Sequence, residues 1–382
     1  MKKFLTSIFF QHLAFGFTIP VLILWERQNG LSFLDIGLIQ SLGLMTAFIF
    51  DMPSSYFADR FGKKIQILAG LACLCSSFAI LIFSHSFIQF LIMDMVQKIG
   101  FALLSGTEES FIHDLHAKND ITLTKLLGKM SIADEGGTML GLGLSSIIGM
   151  LYGIHFTFIV AFFCVCFAFI CMIKIPEKRK HKTTPLRRSF FVQLSPLSKH
   201  TMLMIGFLFL CNAFLSERGE MIFQASLQNA GMQISIVGFV YMFAKSFSIL
   251  GSSLSYAIER YLGVRSTIVL IIVLQCLAFF LLLPANGIGV IAALSVYFFS
   301  ENVLRNVRGS YVLRTAPQSL KTTALSAVSL SSSLVLSAIQ PIVGFLTSIH
   351  IANAIAFLVV LKVSSLLWIV ATGGFLRNLQ KA

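Results

Sequence analysis

Runs of apolar residues about 20 long recur along almost the whole chain, and a helix of that length spans the ~30 Å hydrocarbon layer of a bilayer. Twelve runs can be marked: Phe4 to Trp25, Leu34 to Phe57, Ile65 to Phe83, Phe87 to Glu109, Gly128 to Leu151, Phe156 to Ile175, Thr201 to Leu227, Ile234 to Ile258, Thr267 to Leu283, Ile288 to Tyr311, Thr322 to Thr347, and Ile351 to Phe375. Hydrocarbon offers no partner to backbone N–H and C=O groups, so runs of this kind must satisfy themselves as helices. An all-α integral membrane protein with twelve transmembrane helices is the resulting expectation. The 56% hydrophobic and 12% charged content and the 38 phenylalanines in 382 residues exceed what a soluble core could hide. The first run follows Lys2 and Lys3 but is too long for a signal peptide and lacks a small-residue cleavage site, so it reads as a signal anchor.

The net charge of +13 is distributed as a topology signal. With the N-terminus in the cytoplasm, cytoplasmic segments collect Lys2, Lys3, Arg60, Lys63, Lys64, the cluster from Lys178 to Arg188, Arg260, Arg265, Arg314, Lys321, Arg377 and Lys381, whereas the opposite loops hold Arg27. Positive charge in short loops stays on the cytoplasmic side, which predicts a multi-pass protein of the cell (plasma) membrane with both termini cytoplasmic. The same distribution removes nucleic acid as the partner of this basic chain. All seven cysteines fall inside the runs and read as packing residues. Cys73-x-Cys75 and Cys164-x-Cys166 place each pair about 200° apart on a helix, poor geometry for one metal. His113-Asp114-x-His116 lacks a matched third ligand and reads as a solvated loop. Neither a metal nor another cofactor is expected.

Hydrophobicity collapses between Pro176 and Lys199 into a basic stretch suited to the anionic cytoplasmic leaflet. It separates a six-span half, residues 1–175, from a second, residues 200–382, with a linker over 176–199. An internal repeat ties the halves together. Gly30 and Gly231 precede the second and eighth spans, Gly37 and Gly238 lie within them, and Asp59-Arg60-Phe61-Gly62-Lys63-Lys64 is echoed by Glu259-Arg260-Tyr261-Leu262-Gly263-Val264-Arg265, at an offset of 200 to 201 residues.

The stretch Ser55-Tyr-Phe-Ala-Asp59-Arg60-Phe-Gly62-Lys63-Lys64 resembles motif A of the major facilitator superfamily, Gly-x-x-x-Asp-Arg/Lys-x-Gly-Arg/Lys-Arg/Lys, which lies on the cytoplasmic side between the second and third spans. Ser105-Gly106-Thr107-Glu108-Glu109-Ser110 looks like the Ser-Gly-x-Asp/Glu-Glu-Ala stretch of a bacterial subgroup of drug or metabolite exporters. The resemblance implies two six-helix bundles related by pseudo-twofold symmetry, a substrate site between them near the midplane, alternating access, and a monomer. Three features depart from the pattern: Ser55 replaces the opening Gly, Asp94 stands about where proton-linked exporters carry the motif B arginine, and the fifth span offers Gly137-x-x-x-Gly141 and Gly149-x-x-x-Gly153 in place of an antiporter Gly-Pro.

Asp59 is placed to cap a neighbouring helix N-terminus, where the dipole favours a carboxylate. Lys63 and Lys64 can meet Glu108, Glu109 or Asp114 at the end of the fourth span. Together with Arg60 and Gly62 these residues form a candidate cytoplasmic gate, a latch that closes in the outward-open state; the alternative is that the lysines only set topology.

Charges inside spans carry the chemistry, since each costs at least ~2.5 kcal/mol at the bilayer centre unless paired or wetted. Asp94 and Lys98 share one face of the fourth span, and Glu301, Arg305 and Arg308 share one face of the tenth. The candidate translocation path comprises Asp94, Lys98, Asp134, Glu135, Glu217, Arg218, Glu220, Lys245, Glu301 and Arg305, and the alternative for each is a static interhelical ion pair. Asp94 beside Lys98, and Glu217 or Glu220 beside Arg218, best suit a proton carrier. Lys362 could serve helix packing, and Gln11 and His12 could reach the cavity or bond between helices. The expected function is secondary active transport, proton-coupled export of a small amphipathic drug or metabolite; movement of an anionic solute such as a carboxylate is the alternative, suggested by Lys98, Lys245, Arg305 and Lys362. An intramembrane enzyme would need a nucleophile and base, or a metal motif on a span, and neither is visible.

Overall fold

A computed structural model describes residues 2–116, 123–175, 219–284, 286–315 and 321–371. The chain divides into two compact units, one holding Met1–Arg187 with Gln233–Met242, the other Arg188–Met232 with Phe243–Ala382. The elements of the described residues are helices: α1 (Lys2–Thr18), α2 (Leu22–Gln28), α3 (Phe33–Phe61), α4 (Lys63–Ile82), α5 (Phe87–Leu104), α6 (Thr107–His116), α7 (Leu123–Tyr152), α8 (Ile154–Ile173), α9 (Glu220–Asn229), α10 (Ile234–Phe280), α11 (Gly287–Thr315), α12 (Lys321–Ile349) and α13 (Ile351–Ala371). Among them, seven helices are long and apolar enough to cross a membrane, or eight when the bent pair α1 and α2 is taken as one span.

Several runs that read as continuous spans are broken. The first becomes α1 and α2, bent by 41°, with Pro20 in the gap, where its missing N–H and its ring prevent a regular helix. The fourth stops at Leu104; Gly106, at φ 69°, turns the chain before α6 starts. In the run ending at Leu227, Gly219 has a left-handed φ of 63° and α9 starts at Glu220; residues 201–218 lie outside the described residues. The eighth and ninth runs join as α10, which has one non-helical residue, Gly263.

The internal repeat extends to backbone hydrogen bonds. After α2, Leu31 N–H donates to Glu26 O (3.2 Å) and Gly30 N–H to Arg27 O (3.0 Å); after α9, Met232 N–H donates to Leu227 O (3.2 Å) and Gly231 N–H to Gln228 O (3.0 Å). Both ends are the same left-handed helix stop, which glycine adopts without a Cβ penalty. Gly62 (φ 95°) and Gly263 (φ 76°) form the second matched pair of turns.

In the first unit, α1 packs on α7 with backbones in contact. A methyl at Gly137 would overlap the Phe9 carbonyl, and one at Gly141 the Leu13 carbonyl. The Gly137-x-x-x-Gly141 spacing therefore acts as small residues do in membranes, where lipid is as apolar as leucine and close packing holds helices together. Hydroxyl groups add to the seam: Ser145 Oγ donates to Phe17 O and Ser7 Oγ to Ala168 O of α8, each at 2.8 Å. α4 buries Ile67, Leu71, Leu74 and Phe78 on one stripe, while Phe83, Phe163, Met150 and Ile132 point outward. An apolar outside is what a lipid-facing bundle requires. In the second unit, Ile271 and Ile272 of α10 pack on Val303, Leu304 and Val307 of α11.

Candidate functional site

In the first unit, α5 brings Asp94 against α3. Asp94 is 7% exposed, and its carboxylate occupies the space a side chain at Gly43 would fill. Oδ2 is buried without a hydrogen-bond partner. Lys98, one turn on, is half-buried with its ammonium 6.0 Å from the Phe101 ring centre. It bears on Asp94 electrostatically, without a contact ion pair between them. Helical spacing thus placed the pair on one face, but the two are not locked together.

Glu26 was not among the sequence-derived candidates. It is 3% exposed on α2, its Oε2 has no hydrogen-bond partner, and Asp94 bears on it electrostatically. The first apolar run ends at Trp25, one residue before Glu26. The visible signal is Ile23, three residues before Glu26 and therefore on the same helical face.

A second cluster joins α1, α6 and α7. His12 Nδ1 lies 2.7 Å from Asp134 Oδ1. Glu108 is buried where α6 begins and faces Gln11 and His12; Glu135 of α7 and Glu109 of α6 add negative charge nearby. Glu109 is exposed and Gln11 buried. His12 is the third part of this cluster, and the sequence reading left it between cavity and packing roles.

In the second unit a polar chain crosses three helices. Lys362 of α13 is fully buried and donates to Gln275 Oε1 of α10 (3.0 Å), and Gln275 Nε2 donates to Glu301 Oε2 of α11 (3.3 Å). The ammonium also lies 5.7 Å from the Phe279 ring centre and 6.0 Å from that of Tyr297, within cation–π range. One turn along α11, Arg305 Nη2 donates to Asn302 Oδ1 (2.5 Å), and Asn302 donates to Ser248 Oγ of α10. Arg305 is exposed. Lys245 of α10 lies 5.8 Å from the Phe298 ring centre. Glu220, first residue of α9, is exposed. Glu217 and Arg218 lie outside the described residues.

At the motif A turn, Gly62 caps α4 with φ 95° and ψ 147°, and the two lysines reach backbone oxygens. Lys63 Nζ donates to Ser110 O of α6 (3.4 Å) and Lys64 Nζ to Ile173 O at the end of α8 (2.9 Å). Because Ile173 ends α8, Lys64 beside its carbonyl also suits the helix dipole. Gln66 extends the α4–α6 link by donating to Leu103 O (2.8 Å) and Thr107 Oγ1 (2.9 Å). Asp59 and Arg60 on α3, Asp114 on α6 and Arg308 on α11 have side chains outside the described set.

Buried, partly compensated charges inside long apolar helices, with a repeat between the two halves of the sequence, are the pattern of a polytopic membrane protein. The chain belongs to the Major Facilitator Superfamily, whose family model matches residues 4–341. Relatives include the uncharacterized MFS-type transporter YxaM of Bacillus subtilis (strain 168), 29% identical over 43% of this chain and 41% of that one. Multidrug resistance protein 1 of the same strain is 25% identical over 46% and 45%. Quinolone resistance protein NorA of Staphylococcus aureus is 26% identical over 50% and 47%. The matched stretch spans less than half of each relative's length. Among solved structures, a mutant of nucleoside transporter NupG superposes with a TM-score of 0.84 at 10% identity, covering 97% of this chain and 98% of that one. A D-xylose–proton symporter gives 0.74 at 14% identity, covering 96% and 95%. These likenesses establish the fold.

Proposed function

We propose that the protein is a proton-coupled exporter of a small amphipathic drug or metabolite, working by alternating access as a monomer in the plasma membrane with both termini cytoplasmic. Its halves are residues 1–175 and 200–382, joined by the linker 176–199. The observation that carries the coupling is Asp94, an acidic side chain buried in a span with an oxygen that lacks a donor. A buried carboxylate of this kind is costly when charged and comfortable when protonated, so proton loss and solute binding favour different conformations. Coupling then follows from linkage, because a ligand shifts an equilibrium only by its difference in affinity for the two states. Export is supported by relatives whose names include multidrug resistance protein 1, quinolone resistance protein NorA and a bacillibactin exporter.

The remaining in-span candidates, Lys98, Asp134, Glu135, Glu217, Arg218, Glu220, Lys245, Glu301 and Arg305, line or support the path. Asp59, Arg60, Gly62, Lys63, Lys64, Glu108, Glu109 and Asp114 form the cytoplasmic gate, and the bond from Lys63 to the α6 backbone supports that assignment. A second reading, transport of an anionic solute such as a carboxylate, is favoured by Lys98, whose ammonium sits beside Phe101 without a contact ion pair to Asp94.

An everted-vesicle assay with ethidium and a panel of carboxylates separates the two readings. Accumulation of ethidium only in inverted vesicles with an acidified interior supports proton-coupled export. Carboxylate uptake into right-side-out vesicles that ignores the pH gradient overturns it.

A further inference from the structure

We propose that Glu26 is a second proton-carrying residue, and that it and Asp94 together hold a single exchangeable proton within the first unit. This deepens the proton-coupled reading and rests on it. Three observations carry it.

First, both carboxyl groups are more than nine-tenths buried, at 3% and 7% exposed, and each has a buried oxygen without a hydrogen-bond partner. A buried acceptor that lacks a donor is costly, and a charged one more so. A proton on one carboxyl removes a charge and turns an acceptor into a donor.

Second, the two groups lie on different elements, α2 and α5, and the Asp94 carboxylate bears unfavourably on a charged Glu26. Two carboxylates sharing a site do not both stay ionised.

Third, among the described residues the surrounding charges leave one negative charge uncompensated. Lys98 of α5 supplies one positive charge close to Asp94. Arg27 is next to Glu26 in sequence but turns away, with Nη1 donating to Leu31 O (2.6 Å) and its guanidinium 4.5 Å above the Phe33 ring. Asp35 at the start of α3 is engaged by Ser32. The imidazoles packed at a tilt against Trp25 are held elsewhere: His85 Nδ1 pairs with Asn29 Oδ1 and His155 Nε2 with Ile82 O, each at 2.8 Å. Farther along α3 come Asp51 and then Tyr56, Asp59 and Arg60, the last three with side chains outside the described residues. Two carboxylates against one nearby ammonium need one more positive charge, and a proton on the pair supplies it.

The test is an infrared titration of the purified full-length protein in detergent, from about pH 5 to about pH 9, reading the protonated-carboxyl C=O absorption in wild type, Glu26→Gln, Asp94→Asn and Glu26→Asp. The proposal expects a titrating band in wild type, its loss in both amide variants, and its retention with a moved midpoint in Glu26→Asp, each variant first shown monodisperse by size exclusion. A band unchanged in Glu26→Gln, or lost in one amide variant alone, overturns the shared proton. Displacement of the band by sodium chloride but not by choline chloride at equal ionic strength also overturns it, because the occupant is then a metal cation. The measurement needs no transport, so its failure is distinct from failure of the export reading, which the vesicle assay decides separately.

Discussion

Replacing Glu301 by Gln removes the anion at one end of the chain Lys362–Gln275–Glu301 and leaves a fully buried ammonium at the other. Two hydrogen bonds and one amide put the charges roughly 8 Å apart, worth about 2 kcal/mol at an effective dielectric of 20. Glu301→Gln should therefore destabilise the protein by about 2 kcal/mol. Lys362→Met keeps much of the volume but leaves Gln275 Oε1 without its donor, a loss of about 1–3 kcal/mol that relief of the buried charge partly offsets. Once the ammonium is gone Glu301 has less to compensate, so the double variant should cost no more than the larger single one. Denaturant unfolding in detergent, followed by circular dichroism, gives the three values. Costs that simply add, or a Glu301→Gln variant as stable as wild type, would refute an electrostatic link through Gln275.

Gly141→Ala should destabilise the α1–α7 seam by about 1–3 kcal/mol, because the new methyl overlaps the Leu13 carbonyl and neither backbone can give easily; a lowered detergent melting midpoint checks it. Phe61→Cys, at the exposed end of α3, should react with a membrane-impermeant maleimide in everted vesicles and stay unlabelled in intact cells. The reverse pattern places the motif A turn outside and removes the cytoplasmic gate.

The spans and the repeat were legible because both rest on simple periodic signals: run length against bilayer thickness, and glycines at an offset of 201 that prove to be matched left-handed stops at Gly30 and Gly231. The helix breaks were not, because hydropathy averages over Pro20, Gly106 and Gly219 while the backbone responds to each one separately. Part of the site was legible through helical spacing, which placed Asp94 with Lys98 and picked out Glu301. Gln275 escaped because a neutral amide raises no charge alarm, and Glu26 escaped because it sits one residue past the end of the run as counted. His12 reached Asp134 through a helix crossing that no local pattern encodes.

The most direct test of the central claim is solute-evoked proton movement in proteoliposomes with a pH-sensitive dye inside, comparing wild type with Asp94→Asn. The account predicts that adding ethidium to wild-type vesicles holding a pH gradient releases protons in proportion to dye moved, and that Asp94→Asn binds ethidium yet releases none. Ethidium transport that moves no protons in wild type, or full proton release by Asp94→Asn, would contradict it.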